Sequence, residues 1–406
     1  HLSDSRLVGD VLYLVTAEDH DCSTCPTEPT TFISSIGVGG SGVPVVIDQL
    51  SYEQPDVGEQ GFRRSVMATE DRMYVAGIEW DGISNTGHST IQVVDISNPD
   101  GTLVQGAAVE AAGQILNRWQ MDELDGVLRV ISQPGVWSSE EVPVVQTFTV
   151  ESSQVVTPLG SLAITLPVPE SLRSVRFDGA RAYAITAQAP EPYDPTPGAE
   201  LDPPPPPVDS CGPGCDPLFV IDLSNPAEPA QMGSLKMPGW VFHMEPRGEH
   251  LFALGFESTY PLGQLSVSMF DVDDGNDPKM IERVTFGGDW TGLAEDQSRI
   301  HKAFSVLDDQ GLILVPYGWW DLEIWMDCWD DPCGGGCWEE GEWVQRGAVK
   351  VLSFDSFSMT DRGDAPLESW ALRALIHEDD LLAVSNEEVR RFDITSAPTQ
   401  LDQLWL

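Results

Sequence analysis

The chain's 406 residues carry 65 acidic against 21 basic side chains, a formal net charge of -44, with 41% apolar and 21% charged content. The apolar share is that of a chain that buries a core. The charge argues against nucleic acid or an anionic bilayer surface as partner, because phosphate binding needs a basic footprint.

From Gly9 onward one phrase recurs: a turn of Gly, Asp or Glu, then an apolar strand of period two ending on a small residue. It reads GDVLYLVTA from Gly9, EDRMYVAGI from Glu70, DGVLRVISQ from Asp125, GARAYAITA from Gly179, GEHLFALGF from Gly248, QGLILVPYG from Gln310 and DDLLAVSNE from Asp379. Such alternation between turn residues is the pattern of a strand, and no comparable segment keeps a helical period. A variable insert follows each copy, then a second strand pair closing on an acidic or Asn-Pro turn. The clearest are STIQVVDISNPDG from Ser89, PLFVIDLSNPAEP from Pro217 and LSVSMFDVDDGNDP from Leu265. Four strands in roughly 45 to 60 residues make a propeller blade with inserts. The predicted fold is therefore all-β: a β-propeller of about seven four-stranded blades. It forms one domain over residues 1–406, with eight or more blades left open for an intact precursor. Its long inserts fall at about 17–30, 189–216 and 319–346. No run of 18 apolar residues occurs, so no transmembrane segment is expected.

The cysteines all lie in those inserts: Cys22 and Cys25 in the first, Cys211 and Cys215 in the second, Cys328, Cys333 and Cys337 in the third. That distribution suits disulfide staples in an exported protein, extracellular or in the cell envelope, with one thiol left over. The third insert also crowds Trp325, Trp329, Trp338 and Trp343 beside Met326. A soft metal held by its cysteines competes there with a disulfide and packed indoles. Its aromatics also offer a surface to carbohydrate or to a protein partner.

Ahead of the phrase, six of the seven lead-ins carry arginine: Arg6, Arg64, Arg118, Arg173 with Arg176, Arg299 and Arg373; the remaining one carries His243. Arg64, Arg173 and Arg373 each stand seven residues before Asp71, Ala180 and Asp380. If the phrase and its lead-in form the innermost strand, these arginines with His301 and Lys302 gather positive charge at one mouth of the channel. Arginine forks suit carboxylate and phosphate, so a small anionic ligand is one reading. Ion pairs with acidic neighbours such as Asp122, Glu123 and Asp178 are the other. Asp271, Asp273, Asn276 and Asp277 surround Gly275 with oxygen donors of the kind calcium takes, or simply cap a hairpin turn.

The stretches SRLVGDVLYLVT, WQMDELDGVLRV, SVRFDGARAYAIT, DPLFVIDLSNPAEP, LSVSMFDVDDGNDPKMIERVTFGG, HKAF and LLAVSNEEVRRFDI resemble, in order, a bacterial and archaeal family of secreted β-propeller domain proteins of uncharacterised function. The resemblance implies a propeller and an extracytoplasmic address, with further strand material preceding the SRLVGD segment, and no particular activity. No Gly-x-Ser-x-Gly elbow, HExxH or phosphate-binding loop occurs. The function expected is a non-enzymatic extracellular scaffold that binds a protein or cell-surface partner, stabilised by calcium. Its alternative is an enzyme or receptor for an anion at an Arg/His-lined mouth.

Overall fold

The recurring phrase folds as the second strand of a four-stranded meander, and the residues ahead of it fold as the first. The phrase and its lead-in are thus two strands rather than one, the arginine-bearing lead-in taking the first place in the sheet and the phrase the second. The turn between them is tight, as at Asp125 and Gly126, where φ of 51° and 73° puts both residues in the left-handed region that a two-residue hairpin requires. The computed structural model describes residues 2–17, 30–39, 43–53, 64–81, 86–135, 141–168, 170–187, 215–257, 264–288, 291–295, 297, 299–329 and 336–406.

Seven antiparallel sheets result, each with its strands in chain order. Sheet 1 comprises Leu2–Val8, Val11–Ala17, Thr30–Gly37 and Val45–Glu53; sheet 2, Arg64–Ala68, Arg72–Asp81, Thr86–Asp95 and Val104–Ala111. Sheet 3 comprises Met121–Leu124, Val127–Ser132, Val144–Ser152 and Val155–Ala163; sheet 4, Ser171–Asp178, Arg181–Ala187, Cys215–Asp222 and Ala230–Pro238. Sheet 5 comprises Trp240–Arg247, His250–Phe256, Leu265–Asp271 and Lys279–Phe286. In sheet 6 two short pieces, Thr291–Gly292 and Ser305–Leu307, both pair with Leu312–Trp329, which is followed by Gly336–Phe354 and Met359–Leu367. Sheet 7 comprises Arg373–His377, Asp380–Val384, Glu388–Asp393 and Thr399–Trp405. The chain divides into two compact units, the first holding sheets 1 to 4 with Gly275–Asp277, the second the remainder of sheets 5 to 7.

Within each unit the core lies between successive sheets. Val11, Tyr13, Val15 and Ile33 of sheet 1 meet Val66, Met73, Val75 and Val94 of sheet 2. Tyr74, Ile91 and Val93 meet Leu128, Val130 and Phe148 of sheet 3. In the second unit Phe252, Leu254 and Val267 pack on Ile313, Val315 and Ala348. Middle strands are buried on both sides: Ala182, Tyr183, Ala184 and Ile185 are all inaccessible, small side chains alternating with large ones. Outer strands are exposed at most positions, as in Val155–Ala163.

The outermost ladder of six sheets carries a register shift at corresponding places, between Ser35 and Ile36, Gln92 and Val94, Thr147 and Phe148, Met269 and Phe270, Val351 and Leu352, and Arg391 and Phe392. A bulge of this kind adds one residue to the outer strand and increases its twist. In sheets 2 and 3 the next sheet's turn is seated there on a glycine. A Cβ on Gly106 would run into the Ser153 carbonyl, and one on Gly160 into the Pro226 carbonyl. The Ala107 amide donates to Ser153 O at 2.8 Å, and Thr147 Oγ1 donates to Pro226 O at 2.5 Å.

A chain of alternating charges ties sheet 7 to sheet 6. Buried Glu388 accepts from Arg390 Nε at 2.7 Å, Arg390 donates to Glu368 at 2.9 Å, Arg346 donates to Glu368 at 2.7 Å, and Arg346 also pairs with Glu323. The hydrogen bond and charge of Arg390 hold the Glu368 carboxyl below its usual range.

Gly106→Ala is expected to cost about 1–3 kcal/mol by overpacking, read as a lowered Tm, whereas Gly9→Ala, where no atom stands near the added carbon, carries only the strain of its positive φ. A depressed carboxyl stabilises above its unfolded pKa and loses that contribution as pH falls through its folded value. Glu368→Gln should therefore be less stable than wild type near pH 7, the gap closing below about pH 4. Thermal melts across that range check this, and a gap independent of pH would refute it.

Candidate anion-binding site

The structure separates the arginines of the lead-ins. Arg6 and Arg176 share a place, opposite Tyr13 and Tyr183 in their ladders. Arg64 stands opposite Gly77 and Arg373 opposite Val384, while Arg173 sits in the bulge between Leu172 and Ser174. Equal spacing in the sequence therefore does not become an equal place in the sheets. Several are occupied: Arg6 holds both Asp4 oxygens at 2.6 Å, Arg64 Nε donates to Thr31 Oγ1 at 2.7 Å, and Arg373 pairs with Glu295. Arg299 is exposed, 4.0 Å from Glu295. His301 lies in the single turn Ile300–Lys302 between the two short pieces of sheet 6. His243 is buried, 3.2 Å from Glu245 and edge-on to Phe304.

Arg118 and Arg176 come together. They flank an open cavity of about 310 Å³ in the first unit, lined also by Met67, Trp119, Asp122, Glu123 and Phe177. The Arg176 guanidinium stands 3.8 Å from the Trp119 ring centre and that of Arg118 4.6 Å, both within cation–π range. A clamped single turn, Arg118–Gln120, sets the indole in place. Asn117 Oδ1 accepts from the Trp119 amide at 3.1 Å, while Gln120 Oε1 accepts from the amides of Leu116 and Asn117. Gln120 Nε2 donates to Ile131 O at 3.0 Å, tying the turn to the second strand of sheet 3. Asn117 and Gln120 are themselves buried, so Arg118 and Trp119 project from a rigid base.

The acids of the cavity already have partners. Glu123 accepts from Arg72 at 2.6 Å and from the Tyr74 hydroxyl at 2.7 Å, and burial with the Glu123 charge pushes the Tyr74 hydroxyl well above its ordinary range. Asp122 is taken by Arg129, whose guanidinium lies over Phe177. The ion pairs of Asp122 and Glu123 are thus with arginines of second strands, not with the lead-ins. Among the described residues no carboxylate forms an ion pair with Arg118. Burial first, then the like charges of Arg6 and Arg176 against an opposing pull from Asp4, bring its guanidinium down to about 10. It remains protonated at neutral pH, poorly compensated and beside a cavity.

Trp119 had no place among the sequence candidates. The signal available was local: an Asn and a Gln three apart around Arg-Trp, just before a strand, make a capping box.

At the calcium candidate, Asp271 Oδ1 accepts from the Asp273 amide at 3.1 Å, the contact of a capped hairpin turn. Asp95, Asp222 and Asp393 cap the corresponding turns of other sheets in the same way. Asn276 and Asp277 complete that turn, and among the described residues no three His, Cys, Asp or Glu side chains converge as metal ligands. Cys22, Cys25, Cys211 and Cys333 lie outside the described residues, as do the side chains of Cys215, Cys328 and Cys337.

Successive four-stranded meanders packed face to face define the class: this is a β-propeller. The Beta propeller domain family matches residues 58–193 and 214–397, and the chain belongs to that family. An uncharacterised protein of Methanocaldococcus jannaschii is 30% identical over 218 residues, covering 53% of this chain and 29% of the relative. Another, from Archaeoglobus fulgidus, is 27% identical over 207 residues, 51% of this chain and 27% of the relative. The chain thus spans under a third of the length of these relatives. Among solved structures, a Lactobacillus plantarum protein aligns at a TM-score of 0.45 and 11% identity, covering 97% of this chain and 95% of the other. The periplasmic gluconolactonase of Pseudomonas aeruginosa aligns at 0.45 and 12%, covering 97% and 96%.

Because Arg118 is desolvated beside two like charges, Arg118→Met should leave the Tm unchanged or raise it in low-phosphate buffer. A clear fall in Tm would show that its charge is needed for folding.

Proposed function

We propose that this β-propeller binds a small carboxylate or phosphate anion in the cavity beside Trp119, at an extracytoplasmic address in keeping with cysteines confined to the three inserts. The observation that carries the reading is Arg118: a half-buried cation next to Arg6 and Arg176, with the cavity's two carboxylates already paired. An anion seated there supplies the countercharge the protein lacks, and in a half-buried site such a charge-assisted hydrogen bond is worth more than in water. A volume of about 310 Å³ suits a ligand at the small end of the usual range. Three converging arginines on a chain with only 21 basic residues are a concentrated investment of positive charge. Binding without chemistry fits the site, since no unpaired acid or base faces Arg118 in the cavity among the described residues. A scaffold role, in which the propeller holds a partner through an exposed element, has its own support in the long ribbon of sheet 6.

The test is thermal stability against inorganic phosphate, citrate and glucose at constant ionic strength. Phosphate or citrate should raise the Tm of wild type and leave Arg118→Met and Arg176→Met unmoved. Ligand at about 100 times Kd corresponds to roughly 2.7 kcal/mol. Equal shifts in wild type and Arg118→Met, or no shift with either anion, would sink the reading.

A further inference from the structure

Two strands of sheet 6 are far longer than any others: Leu312–Trp329 and Gly336–Phe354 pair without a register shift from Leu312 with Ser353 to Trp329 with Gly336. Their bases are flanked by neighbours, at Trp319 on one side and Gly347 on the other. Beyond Trp319, among the described residues, no strand pairs with the outer edge of 320–325, so that edge presents a row of backbone donors and acceptors.

Opposite residues of an antiparallel pair share a face. Trp320, Leu322, Ile324 and Trp343 therefore make one face, and all are exposed, Ile324 at 60% and Trp343 at 53%. Asp321, Glu323, Glu340 and Glu342 fall on the other with Trp325, Val344 and Arg346. The first face is apolar but for Gln345, and the second carries four carboxylates beside Trp325, Val344 and Arg346. Exposed edges are ordinarily blunted with Lys, Pro or a bulge, yet 320–325 contains neither residue and the ladder has no bulge.

We propose that this ribbon captures an extended polypeptide segment by strand addition, one that alternates apolar with basic residues. Added to the 320–325 edge, such a segment places every second side chain on the apolar face and the intervening ones beside the carboxylates, while its backbone meets the outward row of donors and acceptors. A second copy of this chain is disfavoured on two counts. Two tryptophans and two aliphatic side chains, each about half covered, expose on the order of 400 Å², so two copies face to face would bury about 800 Å², short of the roughly 1,200 Å² of a stable interface. The acidic faces and the net charge of -44 repel as well.

The experiment titrates the whole chain by calorimetry with an eight-residue peptide alternating Val and Lys, and with one alternating Val and Glu. Hydrogen exchange follows the ribbon amides. The basic peptide is expected to bind and the acidic one not, with new protection at 320–325. Leu322→Asp, and Asp321→Lys combined with Glu342→Lys, should each weaken binding at least tenfold, while Arg118→Met has no effect. Circular dichroism confirms that these surface variants fold. Equal binding of both peptides, binding without amide protection, no binding, association only with phosphatidylcholine vesicles, or self-association lost in Leu322→Asp would each overturn the proposal.

Discussion

Apolar side chains on both faces of the middle strands impose the constraint from which the rest of the structure follows. A strand such as Arg181–Ala187, inaccessible at nearly every position, cannot belong to a sheet with one face in water. Each small sheet must be covered by another, and repetition is the chain's way of supplying the cover. The alternation of Ala with Tyr and Ile in that strand sets how close a neighbour comes on each side. At the outer rim the same closeness is met by backbone: a bulge, a glycine and the carbonyl of the next turn. Burial of apolar surface provides the driving force, and these rim contacts fix how one sheet seats on the next.

The seven copies of the phrase were enough to read the architecture, because turn residues and period-two strands are written locally. Which strand of the sheet the phrase becomes was not legible. A strand buried on both faces and one buried on a single face differ in their neighbours, and neighbours are a property of the assembled fold. The bulges left no trace for the same reason: Ile47, Leu159 and Ile281 look like ordinary strand residues. The crowding of Trp and acid in the third insert is legible in the sequence, but not that the insert prolongs two sheet strands, with Trp320, Leu322, Ile324 and Trp343 on one face and Asp321, Glu323, Glu340 and Glu342 on the other beside Trp325.

For the site, the arginines were visible and their grouping was not. Arg64, Arg173 and Arg373 share a spacing, yet each meets a different environment, and the residues that converge are Arg6, Arg118 and Arg176. Their convergence depends on the ladder place that Arg6 and Arg176 share, opposite Tyr13 and Tyr183, and on a capped single turn just ahead of sheet 3. Trp119 completes the group because Asn117 and Gln120 lock the backbone on either side of it. Sequence alone showed a basic lead-in to each unit; three dimensions show that most of those cations are spoken for and Arg118 is not.

The large negative charge of the chain and the small basic cluster act at different ranges. At a distance an approaching anion meets the field of the whole surface, which repels it; only within a few ångströms do Arg118 and Arg176 dominate. Mobile ions shorten the reach of the first field more than that of the half-buried second. Encounter with the cavity is therefore a process that salt accelerates even as it weakens the final complex. On the proposed reading, the cavity would fill and empty quickly in concentrated brine, and in dilute solution the protein's own charge would stand as a kinetic barrier in front of it.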